Sequence, residues 1–298
     1  MDPIFIQIGS FSIAWYGVLM MAGIMGGAIL AQRLAVKKGL NANLISDIIF
    51  WAVIWGVIGA RVLFVMTSPE AFAGITDPGQ KFLAWVNIRT GGLSIHGGLL
   101  FGIAVFLYYQ WRYKINFYEY ASLLAPGLGL GIMGGRLGNI MNGSDTVGRP
   151  TNLPIGFVWP DWAKGFHNAM CNANNPENLA QYCTNGLVTV PVHFTQLYGV
   201  LIGLLIFVLA WNWMKTKTAY QVFYLTVMWY SILRSVVEET FRLNPLTFPV
   251  YETTSPNEIG IGLFTLTQVA SVVLVIWCII MLMREPKEQK PVKEQVRA

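Results

Sequence analysis

The stretch GLGLGIMGGRLGNIMNGSDTVGR, residues 127–149, joins an apolar, glycine-rich run to arginine and asparagine. Gly127, Gly131 and Gly135 are four residues apart, so they share one ridge of a helix. Small residues along such a ridge let the backbone of a neighbouring membrane helix come close. Arg136 follows at once, and its charge is costly at membrane depth unless it is paired or hydrated. The stretch therefore predicts a packed membrane helix that leads into an anion site, with a snorkelling arginine as the alternative.

The composition of the whole chain also indicates a membrane protein. Of its 298 residues, 54% are hydrophobic and only 12% are charged, whereas about a quarter of an average soluble chain is charged. Several apolar runs reach the ~20 residues that cross a bilayer as a helix. We therefore expect an all-α polytopic membrane protein, a bundle of about seven transmembrane helices with a small extracytoplasmic lobe. The predicted spans are residues 11–36, 44–66, 93–111, 118–137, 194–214, 219–241 and 259–283.

The segments between the spans define the expected organisation. Residues 1–283 form a single transmembrane domain, and residues 284–298 form a charged, disordered cytoplasmic tail. The longest polar stretch, residues 138–192, is the lobe between spans four and five, and it is too short for an independent core. Residues 1–10 lie at the membrane interface, and residues 79–89 (GQKFLAWVNIR) form a short interfacial helix.

Basic residues fix the expected orientation. They follow the odd-numbered spans, so one side of a seven-helix bundle carries them and is cytoplasmic by the positive-inside rule. The N-terminus and the lobe are then outside. The net charge of +5 and the pI near 9.1 reflect these helix ends, and we expect no nucleic-acid partner. The flanking residues are Lys37, Lys38, Arg112, Lys114, Lys215, Lys217 and Arg284.

The three cysteines divide into two kinds. Cys171 and Cys183 share the lobe, where a disulfide suits an oxidising compartment, and two free thiols are the alternative. Cys278 lies in an apolar run and is expected to be inert packing. No Cys/His cluster in the sequence suggests a metal site.

Polar residues in the predicted spans converge on the outer leaflet. Each has a simpler explanation alone: Tyr16 suits the aromatic belt, Arg234 and Glu238 can neutralise each other, and His96 can be structural. Together, arginines and a histidine against few acids suit the phosphate of a phospholipid headgroup, because guanidinium groups bind phosphate oxygens in pairs. The converging residues are Tyr16, Arg61, His96, Arg136, Asn139, Tyr230, Arg234 and Glu238.

Two functional classes fit such a site. No GxSxG, HExxH or Walker motif is present, so serine hydrolases, zincins and ATPases lack support. A phospholipid transporter, a flippase or a lipid-binding membrane protein is the alternative to an enzyme. Transporter sites lie near the midplane, so polar residues gathered in one leaflet favour the enzyme.

Six motifs, in order along most of the chain, resemble the bacterial prolipoprotein diacylglyceryl transferases. The motifs are AWYG (14–17), GARV (59–62), LSIHGGLLFG (93–102), GGRLGNIMNG (134–143), HFTQLYG (193–199) and YSILRSVVE (230–238). This chain also departs from the family pattern. It has NGSDTVGR where the family has NGELWGR, which makes Asp145 the candidate for the missing glutamate. It has Gly199 in place of a glutamate, and one extra residue between Glu238 and Arg242.

The resemblance implies a transferase of the inner membrane with its site toward the outer leaflet, residues 1–283 being the catalytic domain. Its substrates would be phosphatidylglycerol and the lipobox cysteine in a prolipoprotein signal peptide, with membrane lipids around it. The products would be a thioether and glycerol phosphate, and no cofactor or metal is implied. His96 is the candidate base for the thiol, and a thiolate formed by the electropositive site alone is the alternative. Expected catalytic residues are His96, Arg136, Arg234 and Tyr16; expected substrate-binding residues are Arg136, Asn139, Arg61, Asn142, Gly148, Glu238 and Tyr230.

Overall fold

The computed structural model describes residues 3–9, 11–88, 91–143, 148–160, 183–184, 187–188, 190–242 and 265–284. Within these ranges the chain is mostly helical. The α-helices are α1 (Trp15–Lys37), α2 (Ala42–Thr67), α3 (Pro78–Val86), α4 (Ile95–Tyr113), α5 (Phe117–Met141), α6 (Thr195–Thr216), α7 (Ala219–Leu233) and α8 (Leu266–Met283). A π-helix, Arg234–Glu238, and a 3₁₀-helix, Glu239–Phe241, continue α7.

Three of these helices, α1, α2 and α6, are long and apolar enough to cross a membrane. A shorter apolar helix covers Thr267–Met283. The prediction of a helical membrane protein is therefore confirmed. The total of seven spans and the extracytoplasmic lobe stay predictions.

The first predicted span is wrong at its start. Residues 11–14 are not helical: β2 (Phe11–Ala14) pairs antiparallel with β1 (Ile4–Ile8). Gly9 has φ +59° in the turn between the strands, a conformation that glycine adopts without strain. The helix begins only at Trp15.

The other predicted boundaries differ less. The helix predicted at residues 79–89 appears as α3, with Asp77 accepting at its N-cap and proline at its first turn, and its interfacial location stays a prediction. Helix α5 continues to Met141, one turn beyond the predicted span. The first residues of the seventh span, 259–264, and the tail from residue 285 lie outside the described residues.

Helices α1 and α5 pack antiparallel through glycines, as expected for small residues in membrane helices. A Cβ added at Gly127 would come within 3.0 Å of Gly27 Cα, and one added at Gly134 within 2.4 Å of the Leu19 carbonyl oxygen. At Gly131 an added Cβ would meet nothing within 4 Å, and the same holds at Gly135. Close packing is therefore confirmed at Gly127, whereas at Gly131 and Gly135 the space would admit a side chain.

The opposite side of α5 packs on α6 in the same manner. A Cβ added at Gly129 would come within 2.6 Å of the Gly203 carbonyl oxygen. One added at Gly203 would come within 2.8 Å of Met133 Cγ. Helix α5 therefore lies between α1 and α6, and the antiparallel α5–α6 pair brings the end of α5 to the start of α6.

The described residues form two compact units. The first comprises residues 3–30 and those from 121 onward, and the second comprises residues 31–120. In the second, α2 and α4 pack antiparallel at Gly59 and Gly97, where an added Cβ on either would lie within 2.7 Å of the other's carbonyl oxygen. In the first, Cys278 is buried with a free thiol, which confirms its expected packing role.

Candidate functional site

The side chain of Arg136, in the last turns of α5, lies across the start of α6. A Cβ added at Gly199 would come within 2.7 Å of Arg136 Cγ, Cδ and Nε. The arginine stem therefore occupies the space that any larger residue at position 199 would need. The guanidinium group donates to Asn139 Oδ1 at 3.4 Å and forms an ion pair with Glu238.

Glu238 is the centre of the ion-pair cluster. Its side chain is only 2% exposed, and its Oε1 contacts both Arg136 Nη2 and Arg234 Nη1. Arg234 Nη2 also lies 3.2 Å from Glu239 Oε2. The two arginines, each 15% exposed, thus share one buried carboxylate, and Arg234 also contacts a second.

A third guanidinium group, that of Arg242, is close to this cluster. It repels Arg136 and Arg234 electrostatically and is attracted by Glu238 and Glu239. Its Nε is buried with no hydrogen-bond partner in the described part of the chain. Among the described residues, three guanidinium groups face two carboxylates, and this excess of positive charge favours an anion.

Extended segments connect the start of α6 to the residues that follow α7 through backbone hydrogen bonds. Gly148 bridges to Arg242, and Arg149 N–H donates to the Phe241 carbonyl oxygen at 2.9 Å. On the other side, His193 N–H donates to the Arg149 carbonyl oxygen at 2.9 Å. A Cβ added at Gly148 would lie 2.1 Å from the His193 carbonyl oxygen, so only glycine fits this crossing.

The remaining predicted residues of this unit lie around the same helix ends. Tyr16, in the first turn of α1, packs against α5 where a Cβ added at Gly138 would come within 2.8 Å of its ring. Tyr230, one turn before Arg234, contributes to the electrostatic environment of that arginine. Asn142 is half-buried just after α5, and its N–H donates to the Gly138 carbonyl oxygen at 3.1 Å.

Comparison with known proteins shows the family of the chain. The sequence model of the family described as prolipoprotein diacylglyceryl transferase matches residues 3–284. The chain belongs to this family. Its relatives include proteins called phosphatidylglycerol–prolipoprotein diacylglyceryl transferase. The one from Deinococcus radiodurans is 51% identical over 95% of this chain and 85% of the relative, and the one from Thermus thermophilus is 44% identical over 94% and 96%. The one from Caldanaerobacter subterraneus is 32% identical over 97% of each chain.

In the other unit of this transferase, Arg61 is committed to backbone. Its Nε donates to the Trp85 carbonyl oxygen at 2.7 Å, and Nη2 donates to that of Ala84 at 2.6 Å. Nη1 donates to the carbonyl oxygens of Gly91 and Gly92 at 2.6 and 2.8 Å. Arg61 therefore fastens the C-terminal end of α3 and the following loop. Its predicted contact with lipid stays a prediction.

His96 lies in the first turn of α4 in the same unit, and its side chain is exposed. The structure thus places the predicted residues in two groups. Arg136, Asn139, Arg234 and Glu238 come together in one unit, whereas Arg61 and His96 belong to the other. The role of His96 as a base stays a prediction. The Cys171–Cys183 disulfide also stays a prediction, because Cys171 lies outside the described residues. Asp145, the candidate for the missing glutamate, lies outside them as well.

Sequence reasoning did not assign three residues at the cluster, namely Glu239, Arg242 and Gly199. Glu239 was overlooked because it follows Glu238 directly, and in an α-helix it would face away from Arg234. Gly199 was noted as a departure from the family pattern, without the reason that Arg136 fills its place. The place of Glu239 beside Arg234 follows only from the π-helix, and the need for glycine at position 199 follows only from the packing of α5 against α6.

We expect Gly199→Ala to lower transfer activity by about tenfold or more, because a misplacement of about 1 Å can cost a hundredfold. The new methyl group would displace the stem of Arg136, whose guanidinium group is held by Glu238. Gly131→Ala is the matched control, since its Cβ meets nothing within 4 Å. Turnover of both variants, measured per folded molecule, decides the point. Equal activities would contradict the steric role of position 199.

We expect acid to weaken the fold through His193. Burial lowers the pKa of this imidazole, and its Nε2 has no hydrogen-bond partner within the described residues. The unfolded chain takes up the proton near pH 6.5 and the folded chain resists it, so this contribution to stability is present above about pH 6.5 and falls below it. The unfolding midpoint of His193→Gln should therefore drop less than that of the parent between about pH 7.5 and 5.5. Equal drops in the two proteins would show that His193 does not carry the effect.

Proposed function

We propose that this chain transfers the diacylglyceryl group of phosphatidylglycerol to the lipobox cysteine of prolipoproteins. Membership of the family and the name of its relatives support the reaction. The observation that carries the site is the sharing of Glu238 by Arg136 and Arg234. It gathers two guanidinium groups at one place, and the nearby guanidinium group of Arg242 adds a positive charge to them.

The reaction replaces one bond by another. The cysteine sulfur attacks the glyceryl carbon that bears the phosphate ester. A carbon–sulfur bond forms, the carbon–oxygen bond breaks, and glycerol phosphate leaves with the bonding electrons. Negative charge develops on the phosphate, so preorganised guanidinium donors aimed at it lower the barrier. In this proposal Arg136 and Arg234 bind those oxygens and Asn139 orients Arg136.

The attacking thiol must lose its proton, because the thiolate is the nucleophile. Two routes stay open. His96 takes the proton as a general base, with Tyr16 hydrogen-bonding to the substrate, or the positive field of the arginine cluster lowers the pKa of the thiol. His96→Gln separates them: the first route predicts lost activity that high pH restores, and the second predicts nearly normal activity. The chemistry requires no metal or organic cofactor.

We propose further that the N-terminus and the lobe face outward and the C-terminus faces the cytoplasm. The positive-inside distribution of lysine and arginine supports this orientation. Reporter fusions at Lys38, at Thr184 and at the C-terminus test it. The account expects cytoplasmic signals at Lys38 and the C-terminus and an external signal at Thr184. If the C-terminus were external, the predicted site residues would no longer lie in one leaflet.

The experiment that tests the function uses purified protein in vesicles of phosphatidylglycerol. A lipobox peptide is added, and the same peptide with serine for cysteine is the control. A mass gain of one diacylglyceryl group on the cysteine peptide alone supports the transferase. Movement of phospholipid between leaflets with no covalent product would instead support the alternative, a transporter.

A further inference from the structure

Gln268, in the first turn of α8, connects that helix to the π-helix Arg234–Glu238. Its Nε2 donates to the Ser235 carbonyl oxygen at 3.1 Å and to Thr240 Oγ1 at 3.3 Å. The Thr240 hydroxyl donates to the same Ser235 carbonyl oxygen at 3.1 Å. Two side chains from different elements therefore meet at one backbone acceptor inside the π-helix.

The π-helix takes from this acceptor the backbone donor that an α-helix would give it. In an α-helix the N–H group of Glu239 would bond to the carbonyl of Ser235, four residues before it. Here that N–H bonds to the carbonyl of Arg234, five residues before it. Ser235 is buried, and a buried carbonyl left without a donor costs free energy. Gln268 and Thr240 supply the donors, so they stabilise the π-helix against an ordinary α-turn.

The π-helix explains how one arginine reaches two adjacent carboxylates. On an α-helix, residues three and four apart face each other and a residue five apart points away. The wider π-turn brings both Glu238 and Glu239 to the side of Arg234, which contacts each of them. Single π-turns of this kind occur frequently at functional sites.

We propose that Gln268 is a positioning residue for the arginine cluster. Its amide group holds the π-turn open and so keeps Glu238 and Glu239 beside Arg234. Gln268 does not touch the substrate; it acts through the backbone of Ser235. Only the activity measurement below rests on the proposed function.

The substitution that tests this is Gln268→Met, which keeps the length of the side chain and removes its donor. Gln268 also accepts from the Thr265 N–H at 3.1 Å in the capping box of α8. Thr265→Ala is therefore the matched control, because it weakens the same cap and leaves the donor to Ser235 in place. Both variants should lower the unfolding midpoint by a similar amount, because each removes a hydrogen bond of the same helix cap.

The first measurement is amide hydrogen exchange in the peptide that covers residues 234–240. The proposal predicts faster exchange in Gln268→Met and parent-like exchange in Thr265→Ala. Because no substrate is involved, this result does not depend on the proposed function. Unchanged exchange in Gln268→Met would overturn the inference even if the protein is the transferase proposed above.

The second measurement is transfer activity per folded molecule. Gln268→Met should lose about tenfold or more and Thr265→Ala about twofold at most. In an Arg234→Lys background, Gln268→Met should add little further loss, because both changes disturb the same ion pairs. A full, multiplicative loss in that background would make Gln268 a merely structural residue. If the parent itself forms no thioether, the proposed function fails, and the exchange result still decides the role of Gln268.

Discussion

Replacing Arg136 by lysine should leave the protein folded and lower its transfer activity by about a hundredfold or more, the typical cost of losing one strong donor to a developing anion. Lysine keeps the positive charge, so the ion pair with Glu238 can persist. It lacks the planar fork that donates two parallel hydrogen bonds to phosphate oxygens. The hydrogen bond that Arg136 Nη1 donates to Asn139 Oδ1 at 3.4 Å is also lost. The substitution therefore separates geometry from charge.

The measurement is turnover of phosphatidylglycerol and lipobox peptide by Arg136→Lys, with the unfolding midpoint recorded for the same sample. Arg112→Lys is the control, since Arg112 is exposed at the end of α4. Near-normal turnover by well-folded Arg136→Lys would make Arg136 a packing residue. Loss of folding in that variant would assign Arg136 a structural role and leave the catalytic proposal resting on Arg234.

Replacing Glu238 by glutamine should destabilise the protein by about 3 kcal/mol, near the low end for breaking a buried ion pair. The side chain is 2% exposed, and its loss leaves Arg136 and Arg234 facing each other without their shared carboxylate. We place the cost at the low end because both arginines retain 15% exposure and so keep some solvation. Activity should fall as well, because the two guanidinium groups repel each other out of position.

A bound anion should reverse part of that loss. Glycerol phosphate supplies the negative charge that Glu238→Gln removes, so it should raise the unfolding midpoint of the variant more than that of the parent. Glu70→Gln is the control, because Glu70 is exposed in the 3₁₀-helix Pro69–Phe72. If Glu238→Gln is as stable and active as Glu70→Gln, the shared carboxylate does not organise the cluster.

Hydropathy alone predicted most of the helices, because a helix that crosses a bilayer requires a long apolar run. It failed at residues 11–14, because a short apolar segment looks alike in a strand and in a helix. The hairpin with Ile4–Ile8 depends on a pairing partner and on the turn at Gly9. Glycine spacing predicted close packing of α5 and misplaced part of it. Helices α1 and α6 pack against different faces of α5, and glycine spacing alone does not say which glycines face which neighbour.

The sequence indicated that charged residues gather around Arg136, but it did not show which residues pair with each other. The cost of an unpaired charge required a partner for Arg136, and no acid lies within one turn of it in the sequence. That the partner is Glu238, already four residues from Arg234, follows only from the packing of α5 against α6 and the π-turn after α7. A π-helix leaves no periodic pattern, so Glu239 and Gln268 could not be assigned from sequence.

The central claim is that glycerol phosphate leaves from the arginine cluster as the thioether forms. A single-turnover experiment with phosphatidylglycerol and lipobox peptide measures both products in one sample, for the parent and for Arg136→Lys. We expect equal amounts of thioether and glycerol phosphate from the parent and a parallel fall of both in the variant. Thioether without glycerol phosphate, or normal yields of both from a folded Arg136→Lys protein, would contradict it.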